Sequence, residues 1–324
     1  MNFRTEISLK EPLEKIKTED CIFSIGSCFA QEISTFFTKG QIRNLNNPFG
    51  TLFHPIAIRN ALKSVMENRI YTEEDLVKFN SKYISFDHHS YFDKSNINDA
   101  LELINQKIRE AHLFLKKSNW IIITLGTSWI YEEEKSAKIV ANCHKIPQKH
   151  FSKRILTSFE ISDALQDIIR LVESNRQENV KILFTVSPVR HLKDGIVENQ
   201  LSKSLLLAAI HEIVQMHDCC EYLPVYEILM DDLRDYRFYK EDLIHPNSQA
   251  LQYIWEKFSK VYIEENALQF IHENFSIQKA LEHRFFDENS QESQDFKSRL
   301  KEKILAQQKK VKHAIFSDVL SINL

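Results

Sequence analysis

Three short apolar runs constrain this chain more than any other feature. Cys21 to Ile25 (CIFSI), Trp120 to Leu125 (WIIITL) and Val180 to Val186 (VKILFTV) are too short and too β-branched for buried helices. Each ends at a turn signal: Gly26, Gly126 and Ser187-Pro188. Between them the apolar period changes from continuous to helical. Phe29 to Lys39 places Phe29, Ile33, Phe36 and Phe37 on one face, and Pro55 to Met66 opens with proline in its first turn. Helices are also expected over Ala100 to Lys116, over Ser162 to Val172 with Ser162 as N-cap, over Leu201 to Met216 and over Asn247 to Ile263. Tyr83 to Phe92 reads as a strand or hairpin, and residues 44–55 as turns. Cys220 to Val225 reads as a short strand that Pro224 confines to an edge or an end. Strands separated by helices stack as a parallel sheet with helices on both faces, so the expected fold is an α/β three-layer sandwich. The strands stop after about residue 264. The division expected is therefore an α/β core over residues 1–263 and a helical C-terminal extension over 264–324. Within the extension, Leu300 to Phe316 is amphipathic and basic.

Composition removes several function classes. The chain holds only 5 glycines in 324 residues, namely Gly26, Gly40, Gly50, Gly126 and Gly195. Neither a GxGxxG fingerprint nor a Walker A loop can be assembled from them. A formal net charge of -3 gives no electrostatic case for nucleic acid. No stretch has the length of a signal peptide or a membrane span, so a cytoplasmic protein is expected. Five cysteines without CxxC spacing leave zinc and disulfide frameworks weak. His88 and His89 alternate faces on a strand and cannot serve one metal, so neither metal nor cofactor is expected.

Ligands of open α/β sheets sit beyond the carboxyl ends of the strands, and the chemically interesting residues fall there. At the first strand-to-helix turn stand two candidate nucleophiles, Ser27 and Cys28, beside a helix N-terminus whose free amides stabilise a thiolate or an oxyanion. Asp242 and His245 have the spacing at which a turn lets a carboxylate orient an imidazole base. Gly50 beside Asn47, and Gly126 with Thr127 and Ser128, each put a glycine next to hydrogen-bond donors, as an oxyanion hole needs. Arg190 and His191 follow the third strand and can line the same cleft, with Arg190 able to clamp an anionic group. Asn142, in VANCHKIP, is a further polar candidate.

The segment Gly26 to Ala30 reads GSCFA, and the sequence resembles the GSCFA family, named after that segment. The resemblance continues through Asn47-Pro-Phe-Gly-Thr-Leu, Thr124-Leu-Gly-Thr-Ser-Trp, Val186-Ser-Pro-Val-Arg-His-Leu-Lys-Asp-Gly and Asp242-Leu-Ile-His-Pro, and covers about residues 20–260. The family resembles a branch of the SGNH/GDSL hydrolases. That resemblance implies a flavodoxin-like αβα fold and ester hydrolysis or acyl transfer, often on acylated carbohydrates. Laid on the SGNH blocks, the nucleophile position falls on Cys28 and the preceding Asp position on Ser27. The second-block glycine donor falls on Gly50. The third block falls on Gly126-Thr127-Ser128 without its asparagine, so Thr127 or Ser128 would have to supply the donor. The last block matches at Asp242 and His245. Two functions follow as expectations: an esterase, deacylase or O-acyltransferase acting on a small-molecule or carbohydrate ester, or a ligand-binding protein on the same scaffold. The C-terminal helices add an expected surface for homo-oligomerisation.

Overall fold

The structure, a computed structural model, describes residues 4–174, 180–283 and 290–321. In chain order its elements are β1 (Cys21–Gly26), α1 (Cys28–Lys39), β2 (Arg43–Asn46), α2 (Pro55–Met66), β3 (Val77–Phe79), β4 (Lys82–Ile84), α3 (Ile97–Leu115), β5 (Trp120–Leu125), β6 (Trp129–Glu133), β7 (Lys138–Val140) and β8 (Phe151–Ile155). They continue with α4 (Ser158–Ser174), β9 (Lys181–Val186), α5 (Ile196–Met216), β10 (Cys220–Tyr222), α6 (Val225–Glu227), α7 (Ser248–Tyr262), α8 (Glu265–Leu281), α9 (Gln291–Gln308) and α10 (Ser317–Ser321).

The five parallel strands lie in the order β10-β9-β5-β1-β2. Renumbered within the sheet this is 2-1-3-4-5, the flavodoxin-like order of a doubly wound sheet. β1 and β5 are buried along their whole length. Their residues alternate between two cores, which is why each run reads as uninterrupted apolar sequence. Phe23, Ile25, Ile121, Ile123 and Phe184 face α2 to α5. Ile22, Trp120, Ile122 and Leu183 face α1, α7 and α8. The helices beyond residue 264 complete this second layer. Phe270, Ile271, Leu300, Ile304 and Phe316 share one apolar core with Phe29, Phe37 and Trp255.

The expected strands and helices are present, with four differences. Of Tyr83 to Phe92, expected as a strand or hairpin, only Tyr83 and Ile84 lie in a strand, β4, which pairs with β3; His88 and His89 lie in the turn beyond it, not on a strand. Residues 44–46, part of the stretch 44–55 expected as turns, belong to edge strand β2, whose polar sequence RNLN is only half-buried. Trp129 to Ile155 inserts a three-stranded antiparallel sheet, β7-β6-β8, between β5 and α4. Ser162 lies inside α4 rather than at its start. The N-terminus is closed by a capping box in which Glu160 N donates to Thr157 Oγ1 (3.2 Å) and Thr157 N to a Glu160 carboxylate oxygen (2.9 Å).

Candidate active site

The site begins with a backbone that only glycine supplies. Gly26 has φ +142°, and a Cβ there would lie 2.1 Å from the Thr124 carbonyl oxygen. β1 and β5 therefore stay in contact to their last residues, and the chain turns at once into α1. Ser27 is buried. Its amide donates to Thr124 O (3.0 Å) and its hydroxyl accepts from Phe29 N (3.3 Å), so it is the N-cap of α1. Cys28, the first residue of the helix, is half-buried. Burial pushes its thiol up, while its own amide and that of Phe29 act on the sulfur in the opposite sense.

Asp242 and His245 meet as expected. His245 Nδ1 and Asp242 Oδ2 are 2.7 Å apart, and Asp242 Oδ1 accepts the amides of Ile244 (2.9 Å) and His245 (3.0 Å). The three-residue offset closes because Leu243 adopts φ +55°. The amide of His245, then its imidazole, holds the Asp242 carboxyl well below the usual carboxylate range. An ionised carboxylate on Nδ1 keeps the proton there and leaves Nε2 as the basic nitrogen. The loop is fixed to its surroundings by Lys240 N to His245 O (2.7 Å), Arg190 N to Ile244 O (3.2 Å) and an ion pair of Lys240 with Glu32 on α1 (3.3 Å). Among the described residues, neither Cys28 nor Ser27 hydrogen-bonds to His245. Base and candidate nucleophile come from opposite ends of the core and are tied together through Glu32 and Lys240.

The glycine loops brace this edge of the sheet. Gly26 N donates to Asn47 Oδ1 (2.8 Å), Gly50 N to Asn47 O (2.8 Å) and Leu52 N to Gly26 O (2.9 Å). Gly126 N and Thr127 N both donate to Phe53 O (2.7 and 3.0 Å). Ser128 N donates to Ser202 Oγ (2.8 Å), the Ser128 hydroxyl donates to Ser202 O (3.2 Å), and Thr127 Oγ1 lies 3.0 Å from Ser202 Oγ. The amides of Gly50, Gly126, Thr127 and Ser128 are thus engaged within the protein. Asn47 Nδ2, Thr124 Oγ1 and Trp129 Nε1 are buried donors without a hydrogen-bond partner among the described residues.

The other candidates divide. His191 belongs to the site. Its amide donates to Asn199 Oδ1 (2.9 Å), its ring stands edge-on to Phe53, and it exchanges electrostatic influence with His245. Burial, then the Lys203 charge, brings its pKa down to about 4. The Arg190 guanidinium is stacked on Tyr239 (4.1 Å to the ring centre) and Tyr236 (5.1 Å) beside the histidine loop. Asn142 accepts the amide of His144 (2.8 Å) in a separate buried group with Ser85, His88 and Asp93. No group of three or more His, Cys, Asp or Glu side chains among the described residues is arranged to hold a metal ion, and no helix is long and apolar enough to cross a membrane.

Sequence reasoning missed Asn199, Ser202 and Lys203. They form the first turns of the buried face of α5, which continues as Leu206, Ala209, Ile210 and Ile213. The start expected at Leu201 leaves out Asn199 alone. Ser202 and Lys203 fall inside it, where the stripe through Leu206 and Ile210 puts Lys203 on the buried face although a lysine ordinarily reads as solvent-facing.

The GSCFA family model matches residues 21–258. Among solved structures, the chain is similar to a protein from Streptococcus pneumoniae provisionally described as a platelet activating factor. Its TM-score is 0.41 at 12% identity, over 75% of this chain and 83% of that one. It is also similar to a carbohydrate esterase family 3 protein from Talaromyces cellulolyticus, with TM-score 0.34 at 9% identity, over 79% of this chain and 98% of that one. No curated protein matches in sequence. With the match running through every segment that builds the site, from Cys21 to Phe258, the chain belongs to the GSCFA family.

Proposed function

We propose that the protein is an ester hydrolase or acyltransferase that works through Cys28, His245 and Asp242. The observation that carries this reading is the Asp242–His245 pair, oriented at 2.7 Å on a loop tied to α1, the helix whose first residue is Cys28. In this mechanism His245 Nε2 takes the thiol proton as Cys28 Sγ forms a bond to the ester carbonyl carbon. The carbonyl oxygen gains negative charge next to the N-terminus of α1 and the Asn47 carboxamide. Collapse breaks the C–O bond, and the leaving alkoxide takes the proton from His245. A water or a sugar hydroxyl, deprotonated by His245, then removes the acyl group from sulfur. Ser27, buried and spent as a cap, is the weaker nucleophile. The family membership and the α/β fold agree with a hydrolase, and the name of one similar structure makes an acylated carbohydrate the first substrate class to test.

A second reading is a binding protein that retains an acylated ligand without turnover. The engaged amides of Gly50, Gly126, Thr127 and Ser128 favour it. The test is hydrolysis of p-nitrophenyl acetate and of acetylated xylan by the wild type, Cys28→Ala and His245→Ala. Loss of roughly 10²-fold or more in kcat/KM in both variants is expected. Turnover unchanged in both would overturn the mechanism, and absence of turnover with retained ligand binding would support the second reading.

A further inference from the structure

Lys203 is a fully buried lysine on the inward face of α5. Its Nζ donates to Gly126 O at the end of β5 (2.5 Å) and to Ser187 O at the end of β9 (2.7 Å). These bonds use two of three tetrahedral positions and fix the nitrogen between the two central strands. No carboxylate is paired with it among the described residues; the titratable group that acts on it is Cys28, which it influences in return. A buried ammonium without a counter-charge is costly, and burial brings its pKa down to about 7. Such a cation is retained where an anion forms beside it. Thr127 and Ser128, beside Gly126, are turned to Ser202, the residue next to Lys203.

We propose that Lys203 is the anion-stabilising group of the site: anchored across the ends of β5 and β9, its ammonium holds the negative charge that forms on the Cys28 sulfur and then on the substrate's carbonyl oxygen. The proposal rests on Cys28 as nucleophile and adds a donor for the anion. As the C–S bond forms, the carbonyl π pair moves to oxygen, and that oxygen accepts a hydrogen bond from the third Nζ–H. Collapse returns the pair to carbon–oxygen bonding and releases the contact, so Lys203 keeps its proton throughout. The titratable groups facing this cation are Cys28 on α1, His191 after β9 and Tyr226 on α6, whose ring lies 6.0 Å from Nζ. Glu32 acts on Cys28, while Lys153, Asp194 and His245 act on His191.

The test needs no turnover, which separates it from the esterase reading. Alkylation of Cys28 is followed by peptide mass mapping with neutral iodoacetamide and anionic iodoacetate, from pH 5 to 10, beside glutathione. In the wild type, the iodoacetate to iodoacetamide rate ratio at Cys28 is expected to exceed that of glutathione several-fold at pH 6. The excess should shrink as Lys203 loses its proton above pH 7. Lys203→Met, checked for its fold by near-UV circular dichroism, should abolish the excess and move the pH profile of Cys28 alkylation upwards by about one unit, a tenfold slower reaction at pH 7. A wild-type ratio no higher than that of glutathione at any pH overturns the proposal, even if the variant fails to fold. So does a folded Lys203→Met protein whose profile and ratio match the wild type. Esterase activity lost in Cys28→Ala with unaltered alkylation behaviour in Lys203→Met would leave the nucleophile standing and remove only the lysine.

Discussion

At the scale of single residues, the site depends on positions where one atom more or less changes the backbone. Gly26 is the clearest. Any other residue would carry a Cβ into the Thr124 carbonyl, at a φ that L side chains rarely adopt. Gly26→Ala should therefore cost about 2–4 kcal/mol, the sum of a strained backbone and an overpacked contact, read as a lower urea midpoint at unchanged m-value. A loss below about 0.5 kcal/mol would mean that β1 and β5 separate more easily than their contact suggests. The same residue was legible in the sequence as one of five glycines in a long chain, placed after an apolar run. The Asp242–His245 contact was legible from spacing, because a three-residue offset needs only one turn to close. Lys203 was not: a lysine in a helix reads as solvent-facing, and only the sheet above it shows that its ammonium is buried against two carbonyls.

At the scale of elements, the legible parts are those whose pattern is dictated by burial on both sides. β1, β5 and β9 are continuous apolar runs because two cores meet at the sheet. Their bounds were read to within a residue. The illegible parts are edges and insertions. β2 is half-polar because one of its sides has no neighbouring strand. β6 to β8 are short and mostly half-buried, with Ile130, Val140 and Phe151 as their buried residues, so they carry no continuous apolar run. The start of α4 shows how capping outweighs apolar spacing. The stripe through Leu165, Ile168 and Ile169 is compatible with a start at Ser162, yet the reciprocal Thr157–Glu160 bonds begin the helix earlier. The Arg154 guanidinium beside Glu160 then brings that carboxyl down to about 2, keeping it ionised as a cap partner. Thr157→Ala should cost about 1 kcal/mol, measured by chemical denaturation. A neutral result would show that Arg154 holds Glu160 in place without the threonine.

For the whole molecule, the sheet order puts the GSCFA turn, the Asn47 loop, Gly126, Lys203 and the histidine loop along one edge, and the C-terminal helices cover the layer that holds α1 and α7. This packing buries several histidines in the neutral form. His54 accepts Ala57 N at Nδ1 (3.1 Å), and its Nε2 meets Val140 O (3.1 Å), an arrangement that a second proton would break. His88 lies stacked on Phe49. Burial brings their pKa values down to about 4 and about 3, and that of His191 to about 4. All three lie below the value of about 6.5 expected in the unfolded chain. Between pH 6.5 and 4 the unfolded chain binds protons that the native protein refuses, so stability should be full above pH 6.5 and fall as the pH is lowered. Each fully titrating group contributes about 1.4 kcal/mol per pH unit. Urea midpoints at pH 5 and 7 check this, and equal midpoints would contradict it.

In the proposed mechanism Cys28 carries the acyl group. The most direct measurement is intact-mass and peptide mapping of the wild type quenched in acid during turnover of p-nitrophenyl acetate. One acetyl group is expected on the peptide that begins the first helix, carried on Cys28 and absent from Cys28→Ala. Formation of that adduct should be slowed in His245→Ala. An acetyl group found on Ser27, or turnover with no adduct on Cys28 and full activity in Cys28→Ala, would contradict it.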